Sequence, residues 1–240
     1  MSTVLVIEHD PLVALGNLEQ LLCGKYEHVR AWEKPQAVDR IIEDIECGAR
    51  PFPSAVVILG GRMNAYADEA CPWFPATRHL IRDCAQRQVR LLGICLGHQI
   101  IATALNGSVA LAFPENRECG ITQIRWENKP PTLHADESAL WDSLQETSHV
   151  FADHSDAVSE LPPHALVWAR SQRCVHIMSC GTVIGVQFHP EVTESIIHSW
   201  AQSDPQTYTQ DIHDEYALHR DALFDTCKHL AQWLLGPCTQ

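Results

Sequence analysis

The stretch Arg90-Leu91-Leu92-Gly93-Ile94-Cys95-Leu96-Gly97-His98-Gln99-Ile100-Ile101 decides how the chain reads. Leu91, Leu92 and Ile94 make a short apolar run, the pattern of a buried strand in a parallel sheet covered on both faces. The run stops at Cys95. From Gln99 to Leu105 the side chains Ile100, Ile101, Ala104 and Leu105 fall on one helical face, and Asn106-Gly107 supplies a left-handed stop. Strand, cysteine, helix, with Gly93 and Gly97 on either side, is the build of a nucleophile elbow. Glycine permits the sharp turn and the close approach of other groups. The helix that follows directs its free N–H groups and positive end at the sulfur, which favours thiolate and can hold an oxyanion.

A cysteine nucleophile needs a base. Downstream stands Gly185-Val186-Gln187-Phe188-His189-Pro190-Glu191, where a strand over 183–188 ends at a histidine and a carboxylate follows two residues later. Glu191 is placed to hold the imidazole in the right tautomer, as the third member of a triad does. Together and in this order, G-I-C-L-G-H-Q and G-V-Q-F-H-P-E resemble the two signatures of the class I, triad-type glutamine amidotransferases, among them stand-alone proteins similar to the amidotransferase half of GMP synthase. The resemblance covers residues 1 to about 200. It implies a flavodoxin-like fold and a Cys95–His189–Glu191 triad. It also implies an oxyanion hole that takes one N–H from the Gly60-Gly61-Arg62 loop, with Gly61 as its donor and Leu96 as the second. The family usually has proline where Arg62 stands. Asp153-His154-Ser155-Asp156 resembles the family's H-G-D segment, which lines the glutamine pocket, with Ser155 in place of the glycine.

The rest of the chain supports an α/β reading. Thr3 to Ile7 and Ser54 to Leu59 read as buried strands, and Glu27 to Ala31 as a further one. Leu12, Leu15, Leu18, Leu21 and Leu22 repeat at helical spacing up to Gly24. Pro35 opens a helix that Gly48 stops, and Pro75 opens another to about Gln86. Gly60 and Gly61 follow a strand, where they allow close backbone approach to a ligand. Strands are expected over 108–112, 121–126, 148–152, 166–169, 174–179 and 182–188. From Val192 the chain is helical, with a break at Pro205 and a long apolar stripe through Tyr216, Leu223, Cys227, Leu230 and Leu234. The order predicts a doubly wound, mostly parallel sheet with an antiparallel extension and C-terminal helices. One domain spans 1–240, a core of 1–200 and a helical extension over 201–240.

A net charge of -13 argues against nucleic acid or an anionic membrane as partner. The N-terminus has no basic, apolar leader pattern, and no apolar run is long enough to span a bilayer. The ten cysteines include no C-x-x-C pair, so a reduced, cytoplasmic setting is expected. His176, His198, His213, His219 and His229 show no local metal-ligand spacing, and H-P-E is not a zincin motif. No metal and no cofactor are expected.

Gln99, one turn after the nucleophile, should face the pocket, where Gly60, His154, Ser155 and Asp156 complete a substrate-binding set. Three functions fit. The first is a glutaminase that releases ammonia and glutamate through a Cys95 thioester, feeding a separate acceptor or synthetase subunit. The second is a stand-alone γ-glutamyl hydrolase or peptidase using the same triad. The third is a non-catalytic glutamine sensor, against which the complete Cys-His-Glu set counts. The substrate is accordingly glutamine or another γ-glutamyl compound.

Overall fold

Eight strands build the central sheet of the computed structural model, which describes residues 3–112, 115 and 117–236. Met1 and Ser2, and positions 237–240 of the expected C-terminal extension, lie outside the described residues. Numbered in chain order, β2 (Tyr26–Arg30), β1 (Val4–Glu8), β3 (Ala55–Ile58), β4 (Arg90–Ile94) and β12 (Val183–Val186) lie side by side and parallel. Beyond β12 the sheet continues antiparallel through β11 (Val175–Cys180), β10 (Leu166–Arg170) and β7 (Arg125–Trp126). The doubly wound order with an antiparallel extension is the one expected.

Strand alternation sends successive side chains to opposite faces, and two layers of helix cover them. Leu5 and Ile7 of β1 join one core with Ile41 and Ile42 of α2 (Ala37–Glu46), Leu80 and Ile81 of α3 (Phe74–Arg87), and Ile100 and Ile101 of α4 (Leu96–Ala104). Val4 and Val6 point the other way. They join Leu18 of α1 (Asn17–Leu21), Leu140 and Leu144 of α5 (Ala135–Leu144), and Cys227, Leu230 and Leu234 of α7 (Gln210–Leu235). The C-terminal stripe is therefore packed into the core. A third cluster sets α6 (Glu194–Ser203) and Tyr216 of α7 against Phe151. No described helix is long and apolar enough to cross a membrane.

Several local expectations change. The leucine run yields only the short α1, because Gly16 turns the chain at φ 51° and the Asn17 N–H donates to the Glu191 carbonyl at 2.8 Å. The strand expected over 121–126 is two: β6 (Glu118–Gln123) pairs with β8 (His149–His154), while β7 pairs with β10. A short strand, β9 (Ala157–Glu160), pairs with β5 (Ser108–Ala110); its two apolar residues gave no alternation to read. The helix after the elbow begins at Leu96 rather than Gln99, and β12 ends at Val186 rather than Phe188. Its partner β4 has by then turned into the elbow, and the last ladder bond runs from the Cys95 N–H to the Val186 carbonyl at 2.8 Å.

Gly97 is where α4 meets the end of β3. A Cβ there would lie 2.2 Å from the Ile58 carbonyl oxygen. Gly97→Ala should destabilise the protein by about 1–3 kcal/mol, read as a lower urea midpoint at unchanged slope. Gly24→Ala places alanine at positive φ (+69°) but in open space, whereas Gly97 lies within α4 without a positive φ, and the Gly24 change should cost less. An unchanged midpoint for Gly97→Ala would show that the close approach to the Ile58 carbonyl does not demand glycine at 97.

Candidate active site

Cys95 adopts φ 50°, ψ -103°, a conformation L-residues rarely take. It lies between the end of β4 and the first turn of α4, with its carbonyl accepting the Gln99 N–H at 3.1 Å. Leu96 opens the helix, so its N–H is among those that have no partner within α4. The Cys95 sulfur is buried, 6% exposed, and has two polar neighbours. It donates to the Asp153 carbonyl at 3.7 Å and accepts from Gln187 Nε2 at 3.6 Å.

His189 and Glu191 come from the segment that leaves β12. Beyond Val186 the chain crosses toward β8, and the His189 N–H donates to the Phe151 carbonyl at 2.8 Å. His189 Nδ1 and Glu191 Oε1 are 2.7 Å apart, both residues being almost fully buried. Trp200 of α6 stands edge-on to the imidazole, with ring centroids 5.1 Å apart, and its indole N–H donates to the Leu12 carbonyl at 2.7 Å. Gly60 fits between His189 and Cys95: a Cβ there would be 3.1 Å from His189 Cε1 and 3.6 Å from Cys95 Cβ. Burial works against a charge on His189, but the Glu191 carboxylate and Cys95 outweigh it, and its pKa stands well above the ordinary histidine value. The group is thus set up as an imidazolium supported by the Glu191 carboxylate. Burial and the Glu191 charge push the thiol of Cys227, on α7, upward.

The sulfur and imidazole open onto a cleft of about 310 Å³, bordered by Gly61, Arg62, Gln99, Ser155, Asp156 and Tyr208. In the β3–α3 loop, Arg62 makes a fork onto Asp10: Nε to Oδ2 at 2.7 Å and Nη2 to Oδ1 at 3.0 Å. The Arg62 N–H also donates to Asp10, at 3.1 Å, so this amide is turned away from the sulfur. Burial tends to raise the Asp10 pKa, but the Arg62 and backbone hydrogen bonds hold it below the usual carboxylate range. An ion pair thus fixes the loop at the position where the sequence lacks the expected proline.

Gln99 reaches the cleft wall, with Nε2 donating to the Asp156 carbonyl at 3.0 Å and to Gln187 Oε1 at 3.3 Å. Asp156 also accepts the Ala112 N–H on its carboxylate at 2.6 Å. His154 borders the cleft, but both its ring nitrogens face protein groups: the Asp156 carbonyl at 3.1 Å and Glu118 Oε2 at 3.1 Å. Four residues enter that the sequence reading passed over. Gln187 lay within the G-V-Q-F-H-P-E motif and was legible there as the inward neighbour of the base. Asp153 touches the sulfur through a backbone atom, which no side-chain pattern reveals. Arg117 and Tyr208 hold the Asp153 carboxylate from 36 and 55 residues away, Arg117 at 2.6 Å, with no local signal.

The family model for class-I glutamine amidotransferase matches residues 24–199. The chain is 30% identical over 184 residues to the glutamine-hydrolyzing GMP synthase of Clostridium novyi (strain NT), covering 75% of this chain and 32% of that protein. It is 30% identical over 202 residues to the GMP synthase of the same description from Caldicellulosiruptor saccharolyticus, covering 79% and 34%. The chain therefore spans about a third of the length of these curated relatives. Among solved structures, a glutamine amidotransferase from Thermotoga maritima superposes with a TM-score of 0.78 at 22% identity, over 98% of this chain and 99% of that one. A glutamine amido transferase from Methylobacillus flagellatus gives 0.73 at 22% identity, over 98% and 94%. At such identities these structures speak for the fold.

The His189 pair carries a pH signature. A raised folded-state pKa contributes stability that is full below the unfolded value of 6.5 and is lost as pH rises through the folded value. Glu191→Gln removes a charge that raises the pKa, so the imidazole should titrate at lower pH. Ring-proton NMR of the wild type and Glu191→Gln reads both values. Unchanged titration would mean that Glu191 does not support the imidazolium.

Proposed function

Because the chain belongs to the class I glutamine amidotransferase family, we propose that its Cys95 centre hydrolyses the γ-amide of glutamine and releases ammonia and glutamate. One observation carries the reading. A cysteine at a positive-φ elbow, at the head of a helix and open to a cleft, shares its site with a buried histidine bonded at 2.7 Å to a carboxylate. Such a set suits covalent acyl transfer.

In the proposed reaction the Cys95 thiolate attacks the γ-carbonyl carbon, forming a C–S bond and a tetrahedral oxyanion. The N–H groups of Gly61 and Leu96 are the proposed oxyanion donors. The C–N bond then breaks, and the leaving nitrogen takes its proton from the His189 imidazolium to depart as ammonia. Water attacks the thioester and gives a proton to His189, the C–S bond breaks, and glutamate leaves with the thiolate restored. Glu191 orients the imidazole and supports its charge. Gln99, Gly60 and the segment from His154 to Asp156 are the proposed substrate-binding set. His154 and Asp156 serve there partly through the backbone, since their side chains already have protein partners.

The relatives named GMP synthase are about three times the length matched here. Delivery of ammonia to an acceptor or synthetase subunit is part of the proposal. The Gly60–Arg62 loop is the element through which a partner would act. The Arg62–Asp10 fork holds it in the isolated chain, and glycine lets the neighbouring peptide turn at low cost.

Glutamine should give ammonia and glutamate in equal amounts, slowly without a partner. Cys95→Ala should remove turnover by several orders of magnitude. Glu191→Ala should cost up to about 10⁴-fold, less than His189→Ala. An electrophilic glutamine analogue should add its mass to the peptide holding Cys95; labelling of Cys71 or Cys119 instead would remove the assignment. Turnover of γ-glutamyl peptides but not glutamine, at about 10 per second, would replace the reading with that of a stand-alone hydrolase.

A further inference from the structure

Beside the catalytic cleft, four side chains from three strands converge on one buried point. They are Glu118 of β6, His154 of β8, Cys174 just before β11, and His176 of β11. Each offers one ligand atom, and all four atoms lie within 4.8 Å of one another. Glu118 Oε2 is 2.8 Å from His176 Nε2, 3.1 Å from His154 Nε2 and 3.5 Å from Cys174 Sγ, and Cys174 Sγ is 3.9 Å from His154 Nε2. We propose that this cluster is a structural zinc site, with Glu118, His154, Cys174 and His176 as its four ligands, formed next to the triad and separate from it.

Three physical points support it. The first is size. Zinc bonds of about 2.0–2.3 Å in a tetrahedron place donor atoms roughly 3.3–3.8 Å apart; the four separations given above lie within about half an ångström of that range, and none of the six exceeds 4.8 Å. The second is the outer shell. The Asp156 carbonyl can only accept, so the 3.1 Å contact from His154 Nδ1 puts a proton on that nitrogen. In the neutral ring, Nε2 then carries the lone pair, directed at the cluster. A ring N–H on a backbone carbonyl is the usual arrangement behind a metal-bound histidine. The third is charge. Zn²⁺ with one thiolate, one carboxylate and two neutral imidazoles is neutral overall, which suits a site where His176 is fully buried and Glu118 is 8% exposed. Binding displaces the thiol proton of Cys174 to solvent. Four protein ligands close the sphere, so the ion would be structural, with no open position for water.

The placement gives the ion a task. It would tie the small β6–β8 sheet to β11 of the main sheet. It would also fix the end of β8, where the Asp153 carbonyl meets the Cys95 sulfur and the Asp156 carbonyl holds Gln99. The absence of a sequence pattern has a plain cause: the ligands come from positions 118, 154, 174 and 176, on three strands.

Purified, tag-free protein reconstituted with zinc should keep about one equivalent per chain after dialysis, measured by elemental analysis. Its thermal midpoint should rise with zinc concentration. Cobalt(II) in place of zinc should give a thiolate charge-transfer band in the near ultraviolet and tetrahedral d–d bands in the visible. Cys174→Ser should lose the charge-transfer band and bind zinc more weakly by more than the ~10–100-fold that loss of an outer-shell partner costs. His176→Gln should weaken binding likewise and keep the band. Cys95→Ala should retain both metal and band, since the catalytic thiol is not a ligand. Wild-type protein that keeps no zinc and shows no cobalt–thiolate band would overturn the proposal, leaving the cluster as hydrogen bonds between the imidazoles and Glu118. A band that survives in Cys174→Ser but disappears in Cys95→Ala would overturn it too. The wild-type cobalt titration decides even where a variant fails to fold.

Discussion

Cys95 is held at φ 50°, ψ -103° between a strand and a helix, and much of the neighbouring structure exists to keep it there. A non-glycine residue at such angles costs about 1–3 kcal/mol, and the conformation persists only where the surroundings over-determine it. Here β12 takes the Cys95 N–H on Val186, and α4 takes the carbonyl through Gln99. Gly93 and Gly97 let the helix settle onto the strands: a Cβ at 93 would meet Ile101 Cδ1 at 2.4 Å, and one at 97 the Ile58 carbonyl at 2.2 Å. The turn leaves the sulfur beside the helix N-terminus rather than packed within either element.

His189 is secured by the opposite means, burial of charge. An imidazolium in the interior is unfavourable by itself, and so is a buried carboxylate. Each becomes tolerable because the other is within hydrogen-bond reach, and Cys95 adds to the effect on the histidine. Such a pair favours catalysis more than stability, since desolvating two charges offsets most of their attraction. Trp200 of α6 stands against His189 on one side of the pair.

β8 joins the two chemistries on this side of the molecule. Its last residues present a backbone carbonyl to the nucleophile and a histidine to the Glu118–Cys174–His176 cluster. Asp156, just beyond, accepts from both Gln99 and His154 on one carbonyl. A small shift of this segment would move the sulfur's neighbour, the Gln99 amide and the cluster together. The Asp153 carboxylate is held from outside by Arg117 and Tyr208, so the wall is tied on both flanks.

The amino-acid sequence by itself determined the sheet-forming core, because β1, β3, β4 and β12 are short apolar runs whose burial on both faces leaves a local signature. It determined the Cys95 elbow and the His189–Glu191 pair as motifs, since glycines around a cysteine and a carboxylate two residues after a histidine are near-neighbour patterns. Tertiary structure alone decided that Leu12 and Leu15 stay outside α1, where the Glu191 carbonyl bonds the Asn17 N–H. It decided that 118–126 divides between two sheets, and that Asp10 and Arg62 clamp one loop from positions 52 residues apart. It alone assembled Glu118, His154, Cys174 and His176. The reason is the same each time: periodicity reports which face of an element is buried, whereas partners contributed by separate strands and loops meet only after the chain has folded.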